Sequence, residues 1–211
     1  MAKKINLIIN ADDYGLSPLF NQGIVELVEK KIISSFSVMI RRKFIDKIWL
    51  KNLKKISIGL HLELKLEDSA QEIELQINSF KEILGQLPSH LDSHKHTHFT
   101  EKNLPRIITI AKKYSLPIRS YKSVNRKPIK SAGLKTPDAF IGWHPERIRV
   151  LENDFEKLRV PTAEFVCHPG YYDKNSISSY NKQREQELNF LTSPVFKKLI
   201  KKFKKITYYD L

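Results

Sequence analysis

Short apolar runs alternate with longer amphipathic stretches along the whole chain. An apolar run of roughly four to eight residues is typical of a buried strand, and apolar residues spaced by three or four positions predict a helix. Because strands that alternate with helices favour an α/β fold, we expect a mainly parallel sheet. The strands are predicted at residues 5–11, 33–40, 56–62, 90–93, 117–121, 163–168 and 206–209.

Capping residues mark helix starts in addition to the periodicity. Ser17-Pro18 and Ser193-Pro194 each place a capping serine before a proline, which is a favourable first helical residue. In contrast, residues 122–138 carry two prolines and a glycine among lysines, which predicts a long loop. Helices are expected after both serines and at residues 71–84, 104–114 and 179–190.

The length of the chain favours a single domain. With 211 residues it can bury a sizeable core around one sheet, and we expect one domain over residues 1–211. Seven predicted strands in one domain favour a closed or nearly closed barrel. The apolar run at residues 5–9 is too short for a membrane span or for the core of a signal peptide.

The formal net charge of +14 raises a nucleic-acid partner as a hypothesis. The lysines are spread along the chain, and those at residues 197–205 punctuate a helical pattern, so a solvated helix face accounts for them without a specific nucleic-acid partner. The single cysteine, Cys167, excludes an intramolecular disulfide and a multi-cysteine zinc site. We therefore expect a cytoplasmic protein in which histidine and carboxylate bind any metal ion.

Polar side chains end two of the predicted strands. Asp12 and Asp13 follow the first strand, and His61 ends the third. The carboxyl ends of parallel strands share one edge, where α/β folds place their sites, and two adjacent acids repel unless a cation lies beside them. Each signal has a structural alternative, because the aspartates also suit a capping turn and a lone histidine is more often a packed core residue.

Residues 91–98 contain the clearest chemical signal. In an extended segment, Asp92, His94, His96 and His98 would lie on one side. Neutral imidazole is a common ligand of divalent metals, and a neighbouring carboxylate can orient its ring. The spacing therefore predicts a metal site built from histidine and carboxylate, with a surface strand that carries histidines by chance as the structural alternative.

The strand at residues 163–168 ends in His168, directly before a Pro-Gly turn. The turn would leave the His168 side chain at the end of the strand, where it is a candidate general acid, with a structural role as the equal alternative. Cys167 is expected to be a buried small side chain rather than a nucleophile. Trp143 is expected to pack rather than to stack on a ligand.

With these motifs assembled, the sequence resembles the YdjC-like carbohydrate deacetylases, which include chitooligosaccharide deacetylase and a hopanoid-biosynthesis deacetylase. The resemblance implies a distorted (β/α) barrel of about seven mainly parallel strands, related to polysaccharide deacetylases. It also implies removal of an acetyl group from an N-acetylated sugar with the help of one divalent metal ion. The matching segments are NADDYGLS (10–17), ISSFSVM (33–39), GLHL (59–62), HLDSHKHTH (90–98) and HPGY (168–171).

The resemblance also implies roles for individual residues. Carried over by motif, Asp13, His61 and His94 are the metal ligands. Asp12 is the general base and His168 is the general acid. Zinc or magnesium is the expected ion, and cobalt, nickel and manganese remain open.

Further residues are expected to support this site. Arg119 lies where the family tends to have a strand-end arginine that could orient the base. The resemblance leaves four residues to support the ligands or contact the substrate: Asp92, His96, His98 and Tyr171. A homodimer is implied by the resemblance alone.

Two alternative functions remain open on the sequence. One is a metal-dependent hydrolase of another amide or of a phosphoester, because the ligands do not choose the bond. The other is a catalytically inactive basic protein of the same fold that binds a glycan or nucleic acid. The basic segments 41–43 and 122–135 add the hypothesis of an acidic or phosphorylated glycan.

Overall fold

Parallel strands form the centre of the fold. The computed structural model describes residues 4–65, 69–142, 148–176 and 178–211, so Trp143 lies outside the described residues. Within these ranges one sheet contains β1 (Asn6–Tyr14), β2 (Ser35–Val38), β3 (Ser57–Leu62), β4 (Leu91–Ser93), β5 (Ala139–Gly142), β6 (Thr162–Cys167) and β7 (Lys204–Lys205).

The strand order explains how far the sheet closes. The order is β4-β3-β2-β1-β6-β5, β7 pairs with the beginning of β1, and every pairing is parallel. The expected α/β class is confirmed. Among the described residues β4 and β5 lie at opposite ends of the order, and the sheet curls into a half-barrel with helices around it.

Helices connect the strands, as parallel pairing requires. Both predicted capping serines are confirmed, since Ser17 Oγ accepts from the backbone N–H of Leu19 and Ser193 Oγ accepts from that of Phe196. The described helices are α1 (Pro18–Glu29), α2 (Lys47–Asn52), α3 (Ala70–Leu84), α4 (Asn103–Tyr114), α5 (Ser123–Ser131), α6 (Ile148–Lys157), α7 (Lys182–Thr192) and α8 (Pro194–Ile200).

Three sequence predictions of local structure are wrong. Residues 117–121 do not form a named strand, although Ile118 bridges to Leu91 at the edge of β4. The predicted loop 122–138 contains α5, which tolerates a proline because Ile129 is buried against the core. The last strand is β7 (Lys204–Lys205), and a 3-10 helix (Tyr208–Asp210) occupies the second half of the segment predicted as strand 206–209.

Alternation along β1 separates an apolar face from a polar one. Leu7, Ile9 and Ala11 belong to the main apolar core, whereas Ile8 packs in a small separate cluster. Asn10 lies two residues beyond Ile8 and is fully buried, and other polar side chains near it, such as Asp12 and Ser37, are buried as well. Because successive side chains of a strand point to opposite faces, the inner face of the half-barrel carries the polar residues.

Gly59 makes room for a histidine ring inside the half-barrel. A Cβ atom at this position would lie 2.2 Å from Cε1 of His90. His90 cannot move away freely, because its ring stacks on Tyr208 with 3.5 Å between centroids and its Nδ1 lies 2.9 Å from Ser89 Oγ. The glycine is therefore required by close packing rather than by backbone conformation.

We expect Gly59→Ala to lower the free energy of unfolding by roughly 1–3 kcal/mol, the usual cost of overpacking a core. Chemical denaturation of the purified variant measures this loss. In a His90→Ala background the added methyl group has space, so the same substitution should cost much less. Equal costs in the two backgrounds would show that the steric explanation is wrong.

Candidate active site

The predicted chemical residues meet in one cleft at the carboxyl edge of the sheet. The cleft has a volume of about 1310 Å³. Asp12 and Asp13 reach it from the end of β1, and His61 reaches it from β3. His94 directly follows β4, and His168 directly follows β6. The described lining thus includes Asp12, Asp13, His61, His94 and His168.

A backbone irregularity lets two consecutive aspartates face the same cleft. In a regular strand their side chains would point to opposite faces of the sheet. Here the pairing of β1 with β2 shifts register between Ala11 and Tyr14, and Asp13 has a φ of 74° in the left-handed region. This conformation is uncommon for a residue with a side chain, and aspartate is one of the residues that tolerate it best.

Three side chains offer a set of metal-binding atoms. Asp13 Oδ1 lies 3.2 Å from His61 Nε2 and 3.2 Å from His94 Nδ1, and all three atoms lie within 4.8 Å of one another. His61 Nδ1 donates to Asp92 Oδ1 at 2.8 Å, which leaves Nε2 facing Asp13. One carboxylate and two imidazoles, one of them oriented by a further carboxylate, are compatible with a divalent metal ion.

A buried arginine, Arg119, already neutralises a second cluster of acidic side chains in the same region. Arg119 donates to both oxygens of Asp12 at 2.7 Å and lies 2.8 Å from Asp92 Oδ2. Its Nε also donates to Glu164 Oε1 at 3.0 Å. Because this buried guanidinium compensates these carboxylates, Asp12, His61 and Asp92 are a poorer cation site than the three residues around Asp13.

The electrostatic surroundings keep both cleft aspartates ionised. Burial alone would raise the pKa of Asp12, but Arg119 and His61 outweigh it and the pKa lies below its ordinary value. Burial acts in the same way on Asp13, where hydrogen bonds from His61 and His94 and the charge of Arg184 hold the pKa well below its usual range. Two ionised carboxylates therefore lie side by side in the cleft at neutral pH, and each is chemically able to accept a proton or to bind a cation.

His168 lines the cleft beside Asp12. Its side chain is 35% exposed, and its Nε2 is 3.8 Å from Asp12 Oδ2. Burial lowers the pKa of His168, while Asp12 and Asp13 partly offset that effect. The ring is consequently a ready proton donor once it is protonated, since a lowered pKa favours release of the proton.

The three histidines of the 94–98 segment have three different surroundings. β4 ends at Ser93, and a 3-10 helix (His94–Phe99) follows, with Lys95 and His96 in the left-handed region. The extended alternation predicted beyond Ser93 is therefore wrong, because the chain turns there. The turn sends His94 to Asp13 and His98 into the interior.

His98 and His96 differ in burial and in their neighbours. His98 is buried with Nδ1 2.6 Å from Ser93 Oγ, and burial holds its pKa well below the usual range. His96 lines the cleft and stacks on Tyr121 with 5.1 Å between ring centroids. Burial lowers the pKa of His96 to about 4, so its ring is neutral at neutral pH.

Tyr171 is directed away from the predicted site. Its hydroxyl donates to Glu26 of α1, and its backbone N–H donates to Leu19 O at 3.1 Å. Among the described residues that line the cleft, Tyr171 is absent. Its position thus gives no support to the predicted contact with substrate.

Sequence reasoning missed several residues of the site. Asn10 donates to Asp12 Oδ1 at 2.7 Å, and its place two residues before Asp12 on one face of β1 was the available signal. Glu164 of β6, which accepts a hydrogen bond from Arg119, was missed as well. Arg184 on α7 donates to Asp13 Oδ2 at 2.5 Å from 171 positions away, and no local pattern marks such a contact.

The basic rim of the cleft is partly compensated. Arg41 pairs with Glu72, and Arg42 pairs with Glu63. Lys43 also lines the cleft, whereas none of the described residues 122–135 does. The charge of the rim is therefore smaller than the run at residues 41–43 suggests.

A family model described as YdjC-like protein matches residues 6–69 and 63–202. The chain belongs to the YdjC-like family. The resemblance seen in its motifs is thereby confirmed over nearly the whole sequence. Within the described ranges, no helix of the chain combines the length and apolar character that crossing a membrane requires.

Two relatives indicate the functions found in the family. A carbohydrate deacetylase of Thermoanaerobacter pseudethanolicus is 31% identical in an alignment that covers 88% of this chain and 90% of the relative. A chitooligosaccharide deacetylase of Yersinia enterocolitica is 29% identical and covers 92% of this chain and 93% of the relative.

Solved structures with low sequence identity support the fold alone. A putative cellobiose-phosphate cleavage protein of Enterococcus faecalis has a TM-score of 0.84 at 24% identity, with 99% of both chains covered. A structure described as T48 deacetylase with substrate has a TM-score of 0.56 at 12% identity and covers 98% of this chain and 89% of that one. The fold of this chain is therefore shared with both of these structures.

Proposed function

We propose that this protein is a metal-dependent carbohydrate deacetylase that hydrolyses the N-acetyl group of a sugar or oligosaccharide. The observation that carries the proposal is the convergence of the Asp13, His61 and His94 donors with an ionised aspartate and a histidine in one cleft. The names of the relatives supply the substrate class, since both act on carbohydrates. The side chains supply the chemistry for hydrolysis of an amide.

The proposed metal centre uses Asp13, His61 and His94. A divalent metal ion bound there polarises a carbonyl oxygen and lowers the pKa of water. Three protein ligands are typical of catalytic rather than structural zinc sites, and magnesium is the other ion that the sequence predicts. Asp92 fixes the tautomer of His61 by accepting from Nδ1, so that Nε2 is free to bind.

Asp12 is the proposed general base. Arg119 and Asn10 hold its two oxygens, and the lowered pKa keeps it ionised before the reaction. Its carboxylate is thus fixed beside the donor set, where it can accept a proton from attacking water. The hydrogen bonds keep the base oriented and limit its movement away from the cleft.

His168 is the proposed general acid. The departing amine of the sugar needs a proton, and His168 Nε2 lies 3.8 Å from Asp12 Oδ2. Because 3.8 Å is longer than a direct hydrogen bond, the proton that Asp12 takes from water would reach His168 through one bridging water and would then pass to the amine. A histidine with a lowered pKa suits this sequence, because it is neutral at rest and gives up its proton readily.

The proposal predicts release of acetate from short N-acetylglucosamine oligomers. Purified protein, stripped of metal and reloaded with zinc, magnesium, cobalt, nickel or manganese separately, should release acetate only after reloading. Phosphoester and non-sugar amide substrates, assayed in parallel, test the alternative bond. Stoichiometric metal binding without acetate release under every condition would contradict the deacetylase assignment and leave the metal centre in place.

The proposal also includes two further predictions from the sequence, a cytoplasmic location and a homodimer. The single cysteine is free and buried, which is consistent with a reducing compartment. Light scattering of the purified protein measures the oligomeric state directly. A monomer at micromolar concentration would contradict the dimer without affecting the catalytic proposal.

A further inference from the structure

Arg184 has no part in the reaction described above, although its side chain is buried beside the proposed metal ligands. Its Nη2 donates to Asp13 Oδ2 at 2.5 Å. The other oxygen, Asp13 Oδ1, is the one that lies 3.2 Å from both His61 Nε2 and His94 Nδ1. The arginine thus contacts the carboxylate through the oxygen that the histidines leave unused.

Two further contacts fix the guanidinium group in one orientation. Nε donates to the backbone oxygen of Tyr180 at 2.8 Å, just before α7 begins. The guanidinium carbon lies 4.1 Å from the centre of the Phe20 ring, which is fully buried on α1. Hydrogen bonds at two nitrogens and a stacked ring below leave the group little freedom to turn.

We propose that Arg184 is a positioning residue that holds Asp13 Oδ1 toward His61 and His94 and thereby strengthens binding of a divalent metal ion. The inference rests on the metal centre of the proposed function. Asp13 sits in an uncommon backbone conformation next to a register shift, so its side chain needs a fixed partner to stay aimed at the histidines. Hydrogen bonds to metal ligands commonly provide this orientation.

Orientation and charge act in opposite directions here. The positive charge of Arg184 repels a bound cation, whereas the ordered carboxylate attracts it. A test of positioning must therefore keep the charge and remove the geometry. Arg184→Lys does this, because an ammonium group lacks the planar fork that contacts Asp13 and Tyr180 together and stacks on Phe20.

We expect Arg184→Lys to weaken zinc binding by about tenfold or more, the usual effect of losing an orienting partner. The dissociation constant is measured without substrate, by competition with a chromophoric zinc chelator. Arg159→Lys is the matched control, since Arg159 is exposed and its Nη1 donates to the backbone oxygens of Glu156 and Leu158. The control should bind zinc like the wild-type protein.

Two more measurements separate positioning from loss of structure and from a direct role in the reaction. Circular dichroism and the unfolding midpoint of the metal-free variants show whether each variant is folded. A second variant, Arg184→Gln, should also bind zinc more weakly. At saturating zinc, kcat of Arg184→Lys should return to within about threefold of wild type, because only occupancy was reduced.

Unchanged zinc affinity in Arg184→Lys, or tighter binding in Arg184→Gln, would overturn the proposal and leave charge repulsion as the main effect of this arginine. A kcat that stays low at saturating zinc would also overturn it. A failure of the protein to release acetate would not, because zinc affinity is measured in the absence of substrate.

Discussion

Asp12→Asn is expected to reduce acetate release by at least about 100-fold while one equivalent of metal remains bound. The amide has nearly the same shape as the carboxylate but cannot accept the proton of attacking water. Asp12 is outside the Asp13, His61 and His94 donor set, so metal binding should survive. Initial rates of acetate release and the metal content of the same preparation measure the two quantities together.

The control for this substitution is Asp154→Asn, which makes the same chemical change at an exposed position on α6. It should leave both quantities unchanged. Arg119 keeps Asp92 and Glu164 as partners in Asp12→Asn, so the variant should remain folded. Activity within about tenfold of wild type would remove Asp12 from the role of base, since general base catalysis typically contributes more than that.

His61→Ala is expected to lose tight metal binding and, with it, metal-dependent activity. The substitution removes one of three ligands, and the loss should exceed the roughly 10- to 100-fold effect of removing an orienting partner. Wild-type protein should gain about 2.7 kcal/mol of stability when free metal is 100 times its dissociation constant, and the variant should gain almost none. Thermal unfolding with and without zinc measures the difference.

His98→Ala is the matched control, because it truncates another buried histidine of the same region. The His98 ring is held by Ser93, whose Oγ lies 2.6 Å from Nδ1, and it belongs to neither group of metal-binding atoms found among the described residues. Both variants lose packing, but only His61→Ala should lose the response to zinc. A full zinc response in His61→Ala would mean that the ion binds elsewhere.

Much of the site was predictable because the ends of strands can be recognised in the sequence. An apolar run followed by Asp12, His61 or His168 marks the carboxyl end of a strand, and parallel strands bring such ends to one edge. The predicted metal ligands and the predicted base and acid all line the same cleft. Arg119, for which the family resemblance implied a place near the base, donates to both oxygens of Asp12.

Local pattern was a weaker guide where short elements depend on their neighbours. The four residues of β5 are too few to be recognised as a strand, and they become one because β6 offers a parallel partner. The helix α5 forms in spite of Pro128 because the core buries Ile129. Tertiary packing overrides propensity in such segments.

By itself, the sequence determined the fold class, the edge of the sheet that carries the chemistry and the residue types available for it. These features follow from local periodicity and from residues at strand ends, which short stretches of chain can encode. The tertiary structure alone decided that the sheet stops at a half-barrel and that Asp13 turns into the cleft beside Asp12.

The tertiary structure also decided that His94 faces Asp13 while His98 is buried. It decided as well that Arg184 contacts Asp13, from which it is separated by 171 positions in the sequence. Each of these outcomes depends on contacts between segments that are distant in the chain or on a turn whose direction the packing selects. A pattern of adjacent residues contains no information on which distant side chain will satisfy a buried charge, and only the folded protein makes that choice.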